Sequence, residues 1–163
     1  MTQFRTGLGH DVHRLVPGRN LVLAGVPVPA DVGFDTHSDG DVVCHAVIDA
    51  LAGALADGDL GTHYPEDDPG TQDARSLEFV REFAAYVRRS GYAIANVDAF
   101  VVLGPVKLRP HIDGMRSNLA DALGLEIAQV SVKARSNDGL GPEGEGVACG
   151  AWVSVLVYPI EAG

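Results

Sequence analysis

The sequence predicts an α/β fold of the α+β kind, a single sheet with helices packed on one face, and three observations carry that expectation. Segments with strand character alternate along the chain with segments that repeat apolar residues every three to four positions. Their order, β, β, α, α, β, α, β, β, contains no internal repeat and suits helices layered on one sheet. At 163 residues, 46% of them hydrophobic, the chain has the length of one domain, 1–163, and enough apolar material for a core.

FRTGLGHDVHRL (4–15) reads as a first strand ending in a turn at PGRN, and LVLAGVPVP (21–29) as a hairpin broken by Gly25, Pro27 and Pro29. Residues 30–37 read as a loop. From Ser38 onward, Ala46, Val47 or Ile48, Leu51, Ala52 and Leu55 repeat on one helical face until Gly58 stops the pattern. Ser38 followed three residues later by Asp41 resembles a capping box, with an acid in place of the usual Glu or Gln. The stretch 58–74, dense in Gly, Pro and Asp, reads as a surface loop. RSLEFVREFAAYVRRSG (75–91) is a second helix, with Arg88 and Arg89 in the last turn where the helix dipole favours cations. IANVDAFVVLG (94–104) is a strand, and KLRPHIDGMRSNLADALG (107–124) a helix interrupted near Pro110 and closed by Gly124. VSVKARS (130–136) is another strand, and a Gly-rich turn, NDGLGPEGEG, leads into the terminal strand VACGAWVSVLVYPI.

Charge and composition narrow the function classes. A net charge of −10 argues against nucleic acid or anionic membrane as partner, since phosphate backbones are held mainly by clustered Lys and Arg. A small phosphorylated ligand remains open, provided metal ions or a few placed basic groups supply local positive charge. No run approaches a membrane span and MTQFRTG lacks the apolar core of a signal peptide, so a cytoplasmic protein is expected. Cys44 and Cys149 form no CxxC pair and read as buried small hydrophobes.

Asp11 and His13 lie two apart in the first strand and project from one face while Val12 packs the other way. A carboxylate and an imidazole side by side suit two ligands of one metal, although such a pair also occurs as a plain hydrogen-bonded contact. Asp41, His45 and Asp49 form a polar stripe at i, i+4 and i+8 on an otherwise apolar helix. His45, in its middle, is the best third ligand, and Asp49 is placed to accept a proton from a ligand imidazole. One Asp and two His leave an open tetrahedral position, as in catalytic zinc sites, while the same set also holds non-haem Fe(II). His37 and Ser38, just before the helix, stand where unpaired N–H groups collect anions. Lys107 and the run Lys133 to Ser136 stand near strand ends, where ligands gather in α/β sheets.

Taken together, DVH, HSDGDVVCHAVIDALAGALADGDLG, YPEDDP, PHI and VSVKA with GEGVAC resemble the 2-C-methyl-D-erythritol 2,4-cyclodiphosphate synthases over essentially the whole chain. The resemblance implies conversion of 4-diphosphocytidyl-2-C-methyl-D-erythritol 2-phosphate to the cyclic diphosphate and CMP, in non-mevalonate isoprenoid biosynthesis. It implies a Zn²⁺ held by Asp11, His13 and His45, with His37 and Ser136 stabilising the transition state. Ser38, Asp59, Leu60, Gly61 and Glu66 would contact the substrate's methylerythritol part and phosphates. Leu103, Gly104, Pro105, Val106, Lys107, Leu108, Arg109, Ala134 and Arg135 would line the cytidine and its phosphate. Asp138 falls where a Glu commonly helps hold a second ion, Mg²⁺ or Mn²⁺, across the diphosphate. The resemblance further implies a homotrimer with its sheets facing the threefold axis and active sites between subunits. Glu143 stands where an Arg often points into the central cavity, and a carboxylate there would repel an isoprenoid diphosphate.

Overall fold

Strand β1 (Arg5–Pro17) runs antiparallel to the terminal strand of the chain (Ala148–Pro159), with Gly9 opposite Val153, Asp11 opposite Ala151 and His13 opposite Cys149. The computed structural model to which these contacts belong describes residues 3–36, 38–65 and 75–160. After β1 come β2 (Leu21–Leu23), β3 (Val26–Val28) and β4 (Val32–Phe34), then β5 (Tyr92–Val102), β6 (Val130–Arg135) and β7, the terminal strand. The main sheet has the order β4-β1-β7-β5-β6, with only β5 and β6 parallel. The expected single sheet is therefore five-stranded, and β2 with β3 forms a separate two-stranded hairpin. The loop expected over 30–37 contains β4, which pairs with the end of β1 from Leu15↔Phe34 to Pro17↔Val32. Three residues between Asp31 and Asp35, one of them Gly33, carry too little pattern to reveal a strand whose partner is distant in sequence.

The helices are α1 (Val42–Leu55), α2 (Leu60–His63), α3 (Ser76–Arg89), α4 (Ile112–Leu123) and α5 (Gly141–Gly144). The short α2 and α5 fall inside stretches expected to be loop and turn. Helix α1 ends at Leu55, where Ala56 turns left-handed (φ 58°), three residues before the expected stop at Gly58. Ten of its residues are buried, because α1 is sandwiched between β1 and β7 on one side and α3 on the other. Val80, Phe83, Ala84 and Val87 form the buried stripe of α3, the i, i+3, i+4, i+7 spacing visible in the sequence. Each fully buried side chain of the size of Phe83 or Leu51 contributes about 1.5–3 kcal/mol.

The long helices cover one face of the sheet. On that face β1 presents Gly7, Gly9, Asp11 and His13, and β7 presents Cys149, Ala151, Val153 and Val155. The other face carries Leu8, His10, Val12, Phe100 and Trp152, with Leu8 74% and Val12 43% exposed. His10 lies against Trp152 with ring centroids 4.5 Å apart.

Candidate metal and phosphate site

Two glycines set the distance between β1 and α1. A methyl group on Gly9 would overlap the Ala46 carbonyl oxygen, and one on Gly7 would overlap that of Ala50. Strand backbone thus rests directly on the Ala46, Ala50 stripe of the helix, closer than any larger residue allows. This contact delivers His45, the residue before Ala46, to the Asp11 and His13 side chains. The glycines were legible as letters in GLGHDVH, and their period-two spacing with Asp11 was the available signal.

The three donors converge. Asp11 Oδ2 is 3.2 Å from His13 Nε2 and 3.0 Å from His45 Nδ1, and one donor atom of each residue lies within 4.8 Å of the others. Tetrahedral ligands about 2.0–2.2 Å from a common ion stand roughly 3.3–3.6 Å from one another, so this set fits a divalent metal. The side chains remain 23%, 22% and 13% exposed for Asp11, His13 and His45, which leaves an open side for a further ligand.

Both imidazoles are held from behind. His13 Nδ1 lies 3.0 Å from the Gly40 carbonyl, and a carbonyl only accepts, so Nδ1 carries the hydrogen and Nε2 faces the site. His45 Nε2 lies 3.0 Å from Ser76 Oγ, whose own hydroxyl donates to Asp39 Oδ1. Burial works to raise the Asp11 pKa, but the His45 hydrogen bond and the charges of His13 and His45 outweigh it and hold the carboxyl below its ordinary value. Burial likewise opposes charge on His45, and the Asp11 hydrogen bond and charge, with Asp41 and Asp39 nearby, overcome it and raise the imidazole pKa.

Ser76, His45 and Asp11 also fall in the order of a hydrolase triad, with the imidazole between hydroxyl and carboxylate. Ser76 is fully buried and its hydroxyl is committed to Asp39, so it has no access to an acyl substrate. The geometry supports metal binding over nucleophilic catalysis.

The polar stripe expected on α1 divides in the structure. Asp41, not Ser38, is the N-cap: its carboxylate accepts from Val43 and Cys44 amides. It also takes the Ala24 and Gly25 amides, is fully buried, and has its pKa raised by that burial against the pull of those amides. Ser38 Oγ instead accepts from the Gly40 amide and lines a polar cavity of about 300 Å³ with Arg19 and Thr36. Asp49 holds the Leu60 amide at 2.7 Å, so it braces the 59–61 turn, and the role expected of it behind a ligand imidazole falls to Gly40 and Ser76. Asp59 caps α2 through Thr62, whose hydroxyl and amide lower its pKa; Asp59, Leu60 and Gly61 form a partly exposed turn beyond the end of α1. His37 and Glu66 lie outside the described residues.

The segments expected to hold cytidine meet at the ends of β5 and β6, level with Val12 of β1 across the sheet. Leu103 N donates to Arg135 O, joining the ends of β5 and β6, and Gly104 N donates to Glu143 O at 2.8 Å. Pro105, Val106 and Lys107 line a cavity of about 570 Å³ opposite Pro29 to Val32 and beside Glu145 and Gly146. Leu103 and Leu108 are buried and serve as anchors, Gly104 and Ala134 are half-buried, and Arg109 and Arg135 are exposed. Ser136 accepts from the Asp138 amide in an exposed turn where Asn137 and Asp138 are both left-handed (φ 54° and 50°), a conformation these two residue types tolerate. Glu143 Oε1 would lie 3.3 Å from a methyl on Gly150, placing the carboxylate over the uncovered face of the sheet.

Comparison with known proteins agrees with the fold. The profile of the YgbB family matches residues 4–158. A 2-C-methyl-D-erythritol 2,4-cyclodiphosphate synthase from Cupriavidus metallidurans is 50% identical over 154 residues, 94% of this chain and 92% of the relative. The bifunctional IspDF from Campylobacter jejuni superposes with a TM-score of 0.94 at 34% identity over 99% of this chain, which spans 44% of that larger protein. The CDP complex of IspF from Plasmodium falciparum superposes with a TM-score of 0.85 at 29% identity, covering 99% of both chains.

Proposed function

Because the chain belongs to the YgbB family of 2-C-methyl-D-erythritol 2,4-cyclodiphosphate synthases, its reaction is the family's cyclisation, and we propose how its own residues perform it. In 4-diphosphocytidyl-2-C-methyl-D-erythritol 2-phosphate, an oxygen of the 2-phosphate bonds to the β-phosphorus. The bond from that phosphorus to the oxygen bridging it to the α-phosphorus breaks, and CMP leaves with that oxygen. The nucleophile belongs to the substrate, so the protein's work is positioning and charge neutralisation.

The observation that carries this reading is the convergence of Asp11 Oδ2, His13 Nε2 and His45 Nδ1 on an open pocket. The nitrogen-rich donor set favours Zn²⁺, which when bound would neutralise a substrate phosphate oxygen. Asp138 would help hold Mg²⁺ or Mn²⁺, a second source of charge for the diphosphate. Asp59, Leu60 and Gly61 hold the methylerythritol hydroxyls together with Glu66. Ser38 and His37 bind phosphate ahead of α1, while Ser136, with His37, donates to oxygens that gain charge. Leu103 to Arg109, with Ala134 and Arg135, hold the cytidine and its phosphate; a CDP complex of the Plasmodium relative supports nucleotide binding.

The whole chain, 1–163, acts as one domain and assembles as a homotrimer with its sheets facing the threefold axis. Support comes from the face of the sheet that the long helices leave uncovered, where Leu8 and Val12 are exposed beside Trp152 and Phe100. Active sites then lie between subunits, metal ligands from one and cytidine contacts from the next. Glu143, on the same face, disfavours an isoprenoid diphosphate in the central cavity. No helix among the described residues is long and apolar enough to cross a membrane, and neither a membrane nor a nucleic acid is a partner in this reading. Incubation with the cytidyl substrate, Mg²⁺ and Zn²⁺, followed by phosphorus NMR, tests it. CMP and the cyclic diphosphate are expected, and intact substrate would leave only a binding protein.

A further inference from the structure

Of the two residues behind His45, Ser76 lies in a helix that carries none of the expected site residues, and Asp39 directly follows Ser38. Ser76 opens α3 and is fully buried, and Asp39 sits in the turn before α1. Both oxygens of Asp39 are used on Ser76: Oδ1 accepts from the hydroxyl, and Oδ2 accepts from the backbone amide at 3.0 Å. Helix α3 has no side-chain cap of its own, since Arg75 makes no capping hydrogen bond, so a plain capping role for Asp39 would account for the amide contact. It does not account for the hydroxyl, which bridges the carboxylate to His45 Nε2.

We propose that Ser76 and Asp39 are positioning residues for the metal site, locking His45 in the form whose Nδ1 lone pair faces the ion. The reasoning is one of donors and acceptors. Asp39 as a carboxylate only accepts, so the Ser76 hydrogen points to it. The Ser76 oxygen is then left to accept from His45 Nε2–H, and the proton is kept off Nδ1 once a metal competes for that nitrogen. Together with the Gly40 carbonyl on His13 Nδ1, the turn 39–40 supports both imidazoles. The same turn follows Ser38, so Ser38 and the metal ligands share one brace. Supporting partners of this type carry about a 10–100-fold effect on metal affinity.

The inference rests on the metal reading above, and the test separates the two. Zn²⁺ affinity is measured by competition with a chromophoric chelator, alongside the thermal midpoint of the metal-free protein and the ¹⁵N shifts of the His45 ring. Ser76→Ala keeps the Asp39 contact to the backbone amide, so α3 stays capped while the bridge is lost. The expected result is a Zn²⁺ Kd about 10–100-fold higher with the metal-free midpoint little changed. Asp39→Asn goes further. With its amide oxygen on Ser76 N–H, its NH₂ faces the Ser76 oxygen, turns that hydroxyl toward His45 Nε2 and moves the neutral ring's proton to Nδ1. A larger Kd increase than in Ser76→Ala, with ¹⁵N shifts of the Nδ1–H form, supports the relay. Unchanged Zn²⁺ affinity in both variants, with a lowered metal-free midpoint, overturns it in favour of capping alone. A wild-type protein that binds no Zn²⁺ overturns this inference and the metal reading together.

Discussion

The metal corner and the loops proposed to hold nucleotide use the same device and reach opposite results. Gly9 lets β1 lie on the α1 backbone at Ala46, and Gly104 lets the loop after β5 lie on the backbone of Gly144. At the first contact a strand meets a buried helix, and the ligands and their supports all come from within the chain. At the second, a loop meets the last residue of the four-residue helix α5, and Lys107, Arg135, Ser136 and Asp138 are left exposed on the surface. Close backbone contact gathers a full ligand set where a long strand and a long helix fix both partners. Where one partner is a loop, it leaves an exposed surface, and the proposed trimer would close it with another copy of the chain.

The largest break in this contrast is expected from His45→Ala. Removing one of three ligands should lower CMP release by about 10³-fold or more, while circular dichroism and the oligomeric state stay as in wild type, because the apolar face of α1 is untouched. Retention of near-normal turnover would remove the triad from the mechanism. Next come the two glycines, changed one at a time. Gly9→Ala should destabilise the fold by about 1–3 kcal/mol and reduce bound metal, since the added methyl pushes α1 away from Asp11. Gly104→Ala should leave metal content unchanged and raise KM for the cytidyl substrate by roughly tenfold to a hundredfold, as a displaced binding loop does. Metal analysis and steady-state kinetics on both proteins would show whether the corners are independent.

The smallest effect concerns pH and sharpens the metal corner alone. In metal-free protein the lowered Asp11 pKa contributes stability above 3.8, lost as pH falls through the folded-state value. The raised His45 pKa contributes stability below 6.5, lost as pH rises through the higher folded-state value. Metal-free protein should therefore lose melting temperature as pH climbs through the imidazole range. With Zn²⁺ the slope should reverse there, because the metal competes with protons for the same nitrogens. Parallel slopes with and without metal would contradict the shared nitrogen.

Much of the metal corner was legible in the sequence because its signals are local. Asp11 and His13 follow the two-residue period of a strand, and His45 is marked by its place on an apolar helix. What stayed hidden depends on contacts across the chain. Ser76 and Asp39 are 37 positions apart and neither is unusual in its own segment. Asp41 and Asp49 looked equivalent to His45 by helical spacing. Their partners, Ala24 and Gly25 for one and Leu60 for the other, arrive from the hairpin and from beyond the helix end. Ser38 looked like the cap because the HSDGD run offers three side chains able to cap within four residues. The long strands β1, β5 and β7 and helices α3 and α4 were readable from periodicity, whereas β4 exists only through its pairing with β1.

Trp152, resting against His10 on the uncovered face of the sheet, is the only tryptophan in the sequence. Its emission therefore comes from one known location, with no background from the core or the metal corner. Covering that face with another subunit takes the indole out of water and moves its fluorescence to shorter wavelength. Dilution followed by a spectrum would then read subunit association without any label.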